Sequence, residues 1–579
     1  MQKQPHTTAL ERLRLKLARA DALIQLSILG VLCGLLAGLV IIVFRFSLEQ
    51  VQAWLLTSHP EDYERLGLKE RFLIPAIGGV LLGALFQWLR GLPVGVVHVM
   101  ERLDYHQAVL PWRNAAAQFA GALLSIAAGH SVGREGPAIH LGAWGGSLLG
   151  RWLTLPGNSL RTLAGCGVAA AIGASFNTPL AGVVFAMEVV LMEYTITGFA
   201  PVILASVSGT ALTRIVYGPM PAFVVPPLEL GSVAELPYVL VIGVLVGGLA
   251  AAFVRTVTLV STYTRTWPVS TRLSLAGVLT GAIAALVPEI MGIGYDSVSA
   301  ALLGQLGLFA MLGIVVAKLV ATTVGIGLGL PGGLIGPTLV IGAAAGGAMG
   351  LIANALFPGV VSSHGFYAVV GMVAMMGATL QAPLAALMAM LELTANPHIL
   401  LPGMLAVIAA GLTSSEGFRQ GPLFVSLLRV RGLDTRDDPV HQRLRRRGVE
   451  AVVEHRWVRS PARLSRPAAE ALLAAGPRWL VVQDATPPFV LATADLARAL
   501  TEAPADEDLD LGAIPAADRL AAVAVPRTAS LLDALEAMNA AGADAAYLVR
   551  SDRQGKQRVS GVVPRQAIEA EYRYNDRRH

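Results

Sequence analysis

The segment GHSVGREGP, residues 129–137, holds the two patterns of this chain that lie closest to known chemistry. Its first five residues match the G-x-S-x-G elbow of serine hydrolases, in which Ser131 would be the nucleophile. Such an elbow needs a strand before the serine. The preceding residues, NAAAQFAGALLSIAAG, are small and apolar, as in a membrane helix. We therefore expect Ser131 to lie in a tight turn, and a hydrolase stays an alternative.

The overlapping pattern GREGP predicts an anion site made of backbone. Gly133 and Gly136 permit an exposed main chain, and Pro137 suits the first turn of a helix. The free N–H groups and the positive dipole at that helix start favour an anion. The carboxylate of Glu135 can occupy the place of the anion, and protonation would free it, so Glu135 is the candidate gate. Arg134 is a second candidate, because its charge can attract anions.

The same motif returns later as GLPGGLIGP, residues 329–337. The positions that recur 200 residues apart are Gly136, Pro137, Gly142, Ala143 and Gly146, matched by Gly336, Pro337, Gly342, Ala343 and Gly346. A second repeat places Pro179-Leu180-Ala181 nine residues before Glu188, and Pro383-Leu384-Ala385 nine residues before Glu392. Paired, interrupted apolar segments indicate two related halves with a transporter-type site at their interface.

The composition is that of an integral membrane protein. Of 579 residues, 54% are hydrophobic and 14% are charged, against about 25% charged in soluble domains. Cys33 and Cys166 lie in apolar stretches, which predicts neither a disulfide framework nor a metal cluster. The net charge of +5 is typical of positive cytoplasmic flanks rather than of nucleic-acid binding.

The sequence predicts an all-α polytopic membrane region followed by a small α/β cytoplasmic domain. The N-terminal arginines and lysine at positions 12, 14, 16 and 19 indicate a cytoplasmic amphipathic segment. The expected boundaries are 1–23 for that segment, 24–430 for the membrane domain (halves about 24–218 and 235–428), 431–449 for a basic linker and 450–579 for the last domain.

The chain resembles the CLC family of chloride channels and chloride/proton antiporters. The resemblance rests on GREGP, SFNTPLAG (175–182), PGGLIGP (331–337) and APLAALMAMLELT (382–394), which occur in family order. It implies an inverted-repeat fold with broken helices and a homodimer with one pathway per subunit. It also implies that Glu135 is the gating glutamate. The implied anion-binding residues are Gly133, Arg134, Glu135 and Gly136 at an outer position, and Leu334, Ile335 and Gly336 at the central one.

Three departures from the family pattern bear on mechanism. Val189 stands where antiporters carry a proton-passing glutamate, with Glu188 beside it as a possible proton carrier. Pro397 aligns with a tyrosine of the inner gate. In the loosely aligned stretch GLPVGVV, Val94 replaces a serine hydroxyl and Gly95 is retained. Together these changes favour a channel over a coupled exchanger.

The last region resembles a degenerate pair of CBS modules. The second is the clearer one, with VPRTASLLDALEAMNAAGADAAYLV followed by VSGVVPRQAIEA. Pro564 and Ala567 stand where such modules hold a nucleotide, and the first module has Ala492 and Asp495. We therefore expect a dimerising or structural role rather than nucleotide regulation.

The resulting hypothesis is a chloride-selective channel that is gated by protonation of Glu135. The alternative is a chloride/proton antiporter with a non-standard inner proton path; fluoride export is a third possibility. We expect no enzymatic activity, no cofactor and no metal. The expected partners are chloride and similar anions, membrane lipid and a second copy of the chain, without nucleic acid. The expected location is the plasma (inner) membrane of a bacterium, with both termini cytoplasmic.

Overall fold

The computed structural model describes residues 23–56, 62–194, 196–219, 225–226, 228–358, 361–433, 441, 444–445, 447–504, 508–551 and 557–573. The chain divides into two compact units. The larger unit comprises Leu26–Arg151 and Arg161–Thr435, and the smaller one includes residues 436–579. The N-terminal amphipathic segment that we predict at 1–23 lies almost wholly outside the described residues, as does much of the basic linker.

Among the described residues, the first half of the membrane region contains eight α-helices. They are α1 (Leu23–Leu55), α2 (Leu68–Trp88), α3 (Val96–Tyr105), α4 (Trp112–Ala127), α5 (Glu135–Trp152), α6 (Gly157–Phe176), α7 (Pro179–Phe185) and α8 (Ile196–Tyr217). A π-helical segment, Ala186–Leu191, continues α7 and ends at Met192, which is left-handed. The short, interrupted helix is the type of broken segment that the sequence predicts at the site.

The described part of the second half contains nine more α-helices. They are α9 (Leu236–Thr264), α10 (Val269–Leu286), α11 (Tyr295–Leu302), α12 (Leu308–Leu328), α13 (Ile335–Leu356), α14 (His364–Leu380), α15 (Pro383–Thr394), α16 (Leu400–Leu412) and α17 (Leu423–Val430). Within the described residues, nine helical segments are long and apolar enough to cross a membrane. The prediction of a helical polytopic membrane protein is confirmed.

The repeated glycines allow equivalent helices of the two halves to cross closely. In the first half, a Cβ at Gly142 would overlap the carbonyl oxygen of Gly167, so α5 and α6 are in backbone contact. In the second half, a Cβ at Gly342 would lie 2.5 Å from the carbonyl oxygen of Gly371, in the matching crossing of α13 and α14. Small residues at such crossings let helix backbones approach each other within a membrane.

Two glutamates connect the halves through helix starts. The carboxylate of Glu188 accepts hydrogen bonds from the N–H groups of Leu384 (3.2 Å) and Ala385 (2.7 Å), in the first turn of α15. Glu392 does the same for α7, accepting from Leu180 (2.9 Å) and Ala181 (2.7 Å). Each acid therefore accepts hydrogen bonds from N–H groups that have no partner within their own helix. Its carboxylate also lies at the positive end of that helix dipole, where a negative charge is stabilised.

The smaller unit is built from strands and helices, which confirms the α/β prediction for this region. Its elements are β1 (Trp457–Arg459), β2 (Arg463–Leu464), α18 (Arg466–Ala475), β3 (Trp479–Val482), β4 (Phe489–Ala492), α19 (Thr493–Glu502), β5 (Leu509–Asp510), β6 (Arg519–Pro526), α20 (Leu531–Ala541), β7 (Ala545–Ser551), β8 (Gln557–Pro564) and α21 (Arg565–Arg573). Helices α18 and α20 end at Gly476 and Gly542, and both glycines have positive φ.

The larger sheet of this unit has the order β1-β3-β4-β6-β7-β8, and β2 and β5 form a separate antiparallel pair. In its first part β1 and β3 are parallel and β3 and β4 antiparallel. In its second part β6 and β7 are parallel and β7 and β8 antiparallel. The two parts therefore repeat one strand–helix–strand–strand–helix arrangement, joined by the antiparallel pair β4 and β6.

Candidate anion site

The two repeated motifs begin two helices at equivalent positions. Helix α5 starts at Glu135, and α13 starts at Ile335, 200 positions later. Pro137 and Pro337 both fall in the first turn of their helix, where the missing N–H breaks no hydrogen bond. The sequence prediction that both motifs open helices is confirmed.

The turns before these helices are joined to each other by their main chains. The N–H of Gly133 donates to the carbonyl of Gly333 (2.7 Å), and the N–H of Gly333 donates to the carbonyl of Gly133 (2.6 Å). This antiparallel bridge fixes the two helix starts side by side. It also uses the amide of Gly133, which we expected to serve an anion, so that expectation is corrected: this N–H already has a backbone partner.

The carboxylate of Glu135 lies between these two turns and is fully buried. One oxygen, Oε1, accepts a hydrogen bond of 2.5 Å from the hydroxyl of Tyr295, the first residue of α11. The other, Oε2, accepts from the N–H of Gly336 at 3.4 Å, in the first turn of α13. The carboxyl group of a side chain from one half thus sits at the helix start of the other half, where the dipole favours an anion.

Glycine leaves the space that this carboxylate occupies. A Cβ at Gly133 would overlap Oε2 of Glu135. A Cβ at Gly333 would lie 2.9 Å from the same oxygen, and one at Gly336 would lie 3.2 Å from Oε1. The glycines of both motifs therefore form a pocket of carboxylate size around Glu135.

A cavity of about 640 Å³ borders this region. The predicted site residues that line it are Val94, Gly95, Gly136, Leu334 and Ile335. Charged side chains also border it: Arg265, Arg272 and Arg431, together with Glu101, whose carboxylate lies 3.3 Å from Arg431. The excess of positive charge gives the cavity a potential that attracts anions.

Pro397 lies apart from this cluster. It is exposed at the start of the 3-10 helix Pro397–Ile399 and does not belong to the residues that line the cavity. Two aromatic residues line the cavity, Phe86 in α2 and Phe424 in α17. Phe424 is 5% exposed. The position that aligns with the tyrosine of the inner gate therefore does not border this cavity.

Arg134 contacts a backbone carbonyl and the ring of Tyr295. Its guanidinium donates to the carbonyl of Ser175 (3.1 Å) and lies 5.5 Å from the ring centre of Tyr295, a cation–π distance. The same ring packs against Phe176, with ring centres 6.2 Å apart. Arg134 therefore helps to hold the ring whose hydroxyl contacts Glu135.

Val189 and Glu188 lie together in the π-helical segment that follows α7. The Val189 side chain is 7% exposed and carries no titratable group. The Glu188 carboxylate is occupied at the start of α15, as described above.

Ser131 does not have the surroundings of a hydrolase nucleophile. The element before it is helix α4, not a strand, and the serine side chain is 1% exposed. Its hydroxyl contacts the hydroxyl of Thr322 at 2.9 Å, whereas an elbow serine is exposed at the top of a sheet beside a histidine.

Sequence reasoning missed Tyr295 and Phe424. A signal for Tyr295 exists: the glycine turn before it, MGIGY, lies about 200 residues after GLPVG. Gly95 and Gly294 both have positive φ, 85° and 86°, and both precede a helix. Phe424 gives no comparable signal, because no motif or spacing distinguishes it from the other phenylalanines in apolar helices.

Comparisons with known proteins agree with this geometry. The profile of the family described as voltage gated chloride channel matches residues 78–415. The "Putative chloride channel protein ClcB-like" of Ralstonia nicotianae is 35% identical over 411 residues, covering 67% of this chain and 93% of that protein. The "H(+)/Cl(-) exchange transporter ClcA" of Vibrio cholerae is 28% identical over 421 residues, covering 69% of this chain and 88% of that protein.

A solved structure shares the fold. The crystal structure of a slow cyanobacterial Cl-/H+ antiporter aligns with a TM-score of 0.62 at 22% identity, covering 70% of this chain and 97% of that one. The fold and the site define a multi-pass membrane protein whose two halves place helix starts around one buried carboxylate. The chain belongs to the CLC family of voltage-gated chloride channels and chloride transporters.

Proposed function

We propose that this protein is a chloride channel in which protonation of Glu135 opens the anion path. The observation that carries the proposal is the position of the carboxylate, buried between two helix starts and bonded to the N–H of Gly336. That N–H and the dipole of α13 suit any small anion. A carboxylate at this place excludes a chloride ion from it.

Acid would open the path because protonation removes the charge that holds the side chain there. A neutral carboxylic acid loses the charge-assisted part of its hydrogen bonds to Tyr295 and Gly336. Chloride, which keeps its charge, then competes better for the same N–H groups. Backbone amides carry partial charges, so they bind the ion without trapping it, as conduction requires.

The cavity bordered by Phe424 provides the remainder of the path in this proposal. It extends to Gly136, Leu334 and Ile335, and hence to both helix starts. Its arginines raise the local chloride concentration at low ionic strength. The ring of Phe424 narrows it without offering a hydroxyl to the ion.

The residues at the predicted proton position favour a channel over an exchanger. Val189 is buried and cannot carry a proton. Glu188 is bonded to Leu384 and Ala385, so it already serves the start of α15. Coupled transport through this region would need Glu188 to leave that helix start or water to replace it.

Chloride/proton antiport is the second candidate. It is favoured by the Vibrio cholerae relative, which is named as an H(+)/Cl(-) exchange transporter. The Ralstonia nicotianae relative, named as a chloride channel protein, favours the first.

The deciding experiment uses purified full-length protein in liposomes loaded with chloride. Chloride efflux and internal pH are recorded together, with and without a proton ionophore, over a range of external pH. We expect chloride efflux without proton movement beyond that driven by the membrane potential. We expect Glu135→Gln to conduct at all pH values, because its uncharged side chain cannot hold the site as the carboxylate does.

Glu229→Gln is the matched control, since Glu229 is an exposed glutamate before α9. This variant should keep the acid activation of the original protein. Uphill proton movement in a fixed ratio to chloride would establish the exchanger instead. Acid activation that persists in Glu135→Gln would contradict the gate itself.

We further propose that the smaller unit is a degenerate pair of CBS modules with a structural role in a homodimer. In this proposal the protein lies in the inner membrane of a bacterium. The repeated strand arrangement of its two parts supports the pair of modules. Adenosine nucleotides should therefore leave both the melting temperature and the chloride flux unchanged. A nucleotide-dependent shift of either quantity would contradict this role.

A further inference from the structure

We propose that Tyr295 is the latch of the gate: its hydroxyl holds the charged carboxylate of Glu135 in the anion site and sets the pH at which the path opens. This inference rests on the proposed function, in which Glu135 is the gate. Its basis is the hydrogen bond of 2.5 Å from the Tyr295 hydroxyl to Oε1 of Glu135, between two buried residues.

A latch must be fixed in place, and the ring of Tyr295 is held from several sides. Phe176 packs on it with ring centres 6.2 Å apart, and the guanidinium of Arg134 lies 5.5 Å from its centre. The residue is 6% exposed and starts helix α11, directly after Gly294. The hydroxyl therefore points at Glu135 with little conformational freedom left to lose.

The turn before Tyr295 is braced by a buried lysine. The Lys318 side chain is fully buried, and its ammonium group donates to the carbonyls of Ile290 (3.1 Å) and Gly292 (3.2 Å). In the first half the equivalent position, 200 residues earlier, is Gln118, whose side-chain oxygen accepts from the N–H of Gly95 at 2.6 Å. The two halves thus brace equivalent turns with different side chains.

The two braced turns end differently, and this difference gives the gate its latch. In the first half the residue after Gly95 is Val96, which has no polar group to offer. In the second half the residue after Gly294 is Tyr295, which does. The hydrogen bond to Glu135 is therefore a feature of one half and not a consequence of the shared fold.

The latch acts on the charged form of the gate. A hydroxyl that donates to a carboxylate stabilises the ionised state over the protonated one. Removing the hydroxyl must therefore let Glu135 take up its proton, and vacate the site, at higher pH. Among the described residues, the neighbouring elements also carry the cations Arg134 and Lys318, the buried His130, whose Nδ1 donates to the Ser125 carbonyl, and the exposed Asp296.

The test is Tyr295→Phe in the full-length protein, measured as chloride efflux from liposomes against external pH. We expect the midpoint of acid activation to rise by about one to two pH units, the effect of losing one hydrogen bond to a charged group. The flux at neutral pH should rise with it. An unchanged or lowered midpoint would overturn the latch.

Tyr238→Phe is the matched control. Its hydroxyl donates to the carbonyl of Met349 at 2.7 Å, so the variant also loses one partly buried hydrogen bond, but not one to Glu135. Its midpoint should equal that of the original protein. Should Tyr295→Phe not be recovered as folded protein, Tyr295→Leu, which also lacks the hydroxyl, must show the same upward shift.

The double variant Tyr295→Phe with Glu135→Gln separates the latch from the gate. If Tyr295 acts through the carboxylate, this variant conducts like Glu135→Gln alone, without acid activation. A further change of flux in the double variant would show that Tyr295 acts elsewhere, and would overturn the latch while the gate stands. Acid activation that persists in Glu135→Gln would instead remove the gate, and the latch with it.

Discussion

Gly133 and Gly333, 200 positions apart, exchange two backbone hydrogen bonds of 2.7 and 2.6 Å. Each is the glycine just before a helix that starts at the site. The pair locks both helix starts at a fixed separation, so the anion site is rigid main chain. In such a site the element free to move is a side chain. This relationship is why we place the gate in the carboxylate of Glu135 rather than in a movement of helices.

The space at Gly133 provides a direct test of this gate. In Gly133→Ala the added methyl group would overlap Oε2 of Glu135, whereas the backbone of residue 133 has no positive φ to oppose alanine. The carboxylate is the end of a flexible side chain, so it should give way while the fold persists. We expect chloride efflux at neutral pH that depends little on acid, measured in liposomes over a range of external pH.

Gly145→Ala is the control for this substitution. Gly145 lies in helix α5, and an added Cβ would be 3.7 Å from Leu36, which is ordinary contact. That variant should keep both the flux and the acid activation of the original protein. A Gly133→Ala protein that folds and stays closed at neutral pH would mean that closure does not require the carboxylate to occupy the pocket between the glycines.

The glutamates that contact the starts of α7 and α15, Glu392 and Glu188, should contribute similarly to stability. Glu188→Gln and Glu392→Gln each remove the charge that accepts two backbone N–H groups. We expect a loss of about 1–3 kcal/mol of stability in either variant, because each leaves donors poorly satisfied. Melting temperatures of the purified proteins should fall by similar amounts, with chloride flux retained.

If the protein is an exchanger, the proton flux of Glu188→Gln should differ from that of the original protein. In an exchanger, Glu188→Gln would lose a proton flux that the original protein shows, in addition to the loss of stability. Glu392→Gln is the internal control, since it occupies the equivalent place in the other half.

Much of the fold could be predicted because it depends on local patterns. The long apolar runs, the glycine and proline positions of the two motifs and the 200-residue offset all follow from the sequence, and α5 and α13 begin where these patterns indicate. The glutamates nine residues after Pro179 and Pro383 are visible as a repeat. Their cross-connection is not, because it depends on how the two halves pack.

The site could be predicted less completely for the same reason. Glu135 has a local signature, whereas Tyr295 lies 160 residues away and contributes one hydroxyl. Phe424 borders the cavity only through the packing of α17, whereas the sequence aligns Pro397 with the inner-gate tyrosine of the family. The sequence also assigns the amide of Gly133 to an anion, because its partner, the carbonyl of Gly333, is invisible without the structure.

Phe424 should limit the flux from the cavity side. In Phe424→Ala the loss of the ring widens the cavity beside Leu334 and Ile335. We expect a severalfold faster chloride efflux at acid pH, with acid activation retained because Glu135 is unchanged. The control is Phe418→Ala, since Phe418 is 56% exposed and does not line the cavity. Equal rates in the two variants would show that the ring does not narrow the path.

The arginines that line the cavity should attract chloride through their long-range electrostatic field rather than by binding it directly. Arg272→Gln removes one positive charge from the lining, where a neighbouring Arg431 is already paired with Glu101. We expect reduced chloride efflux at about 10 mM ionic strength and a much smaller reduction at about 1 M, because screening shortens the reach of the charge from about 30 Å to about 3 Å. Arg419→Gln, at an exposed arginine outside the lining, should show neither effect. A reduction in Arg272→Gln that is the same at both ionic strengths would instead indicate direct binding of chloride by the guanidinium, since a contact pair is screened far less than a distant one.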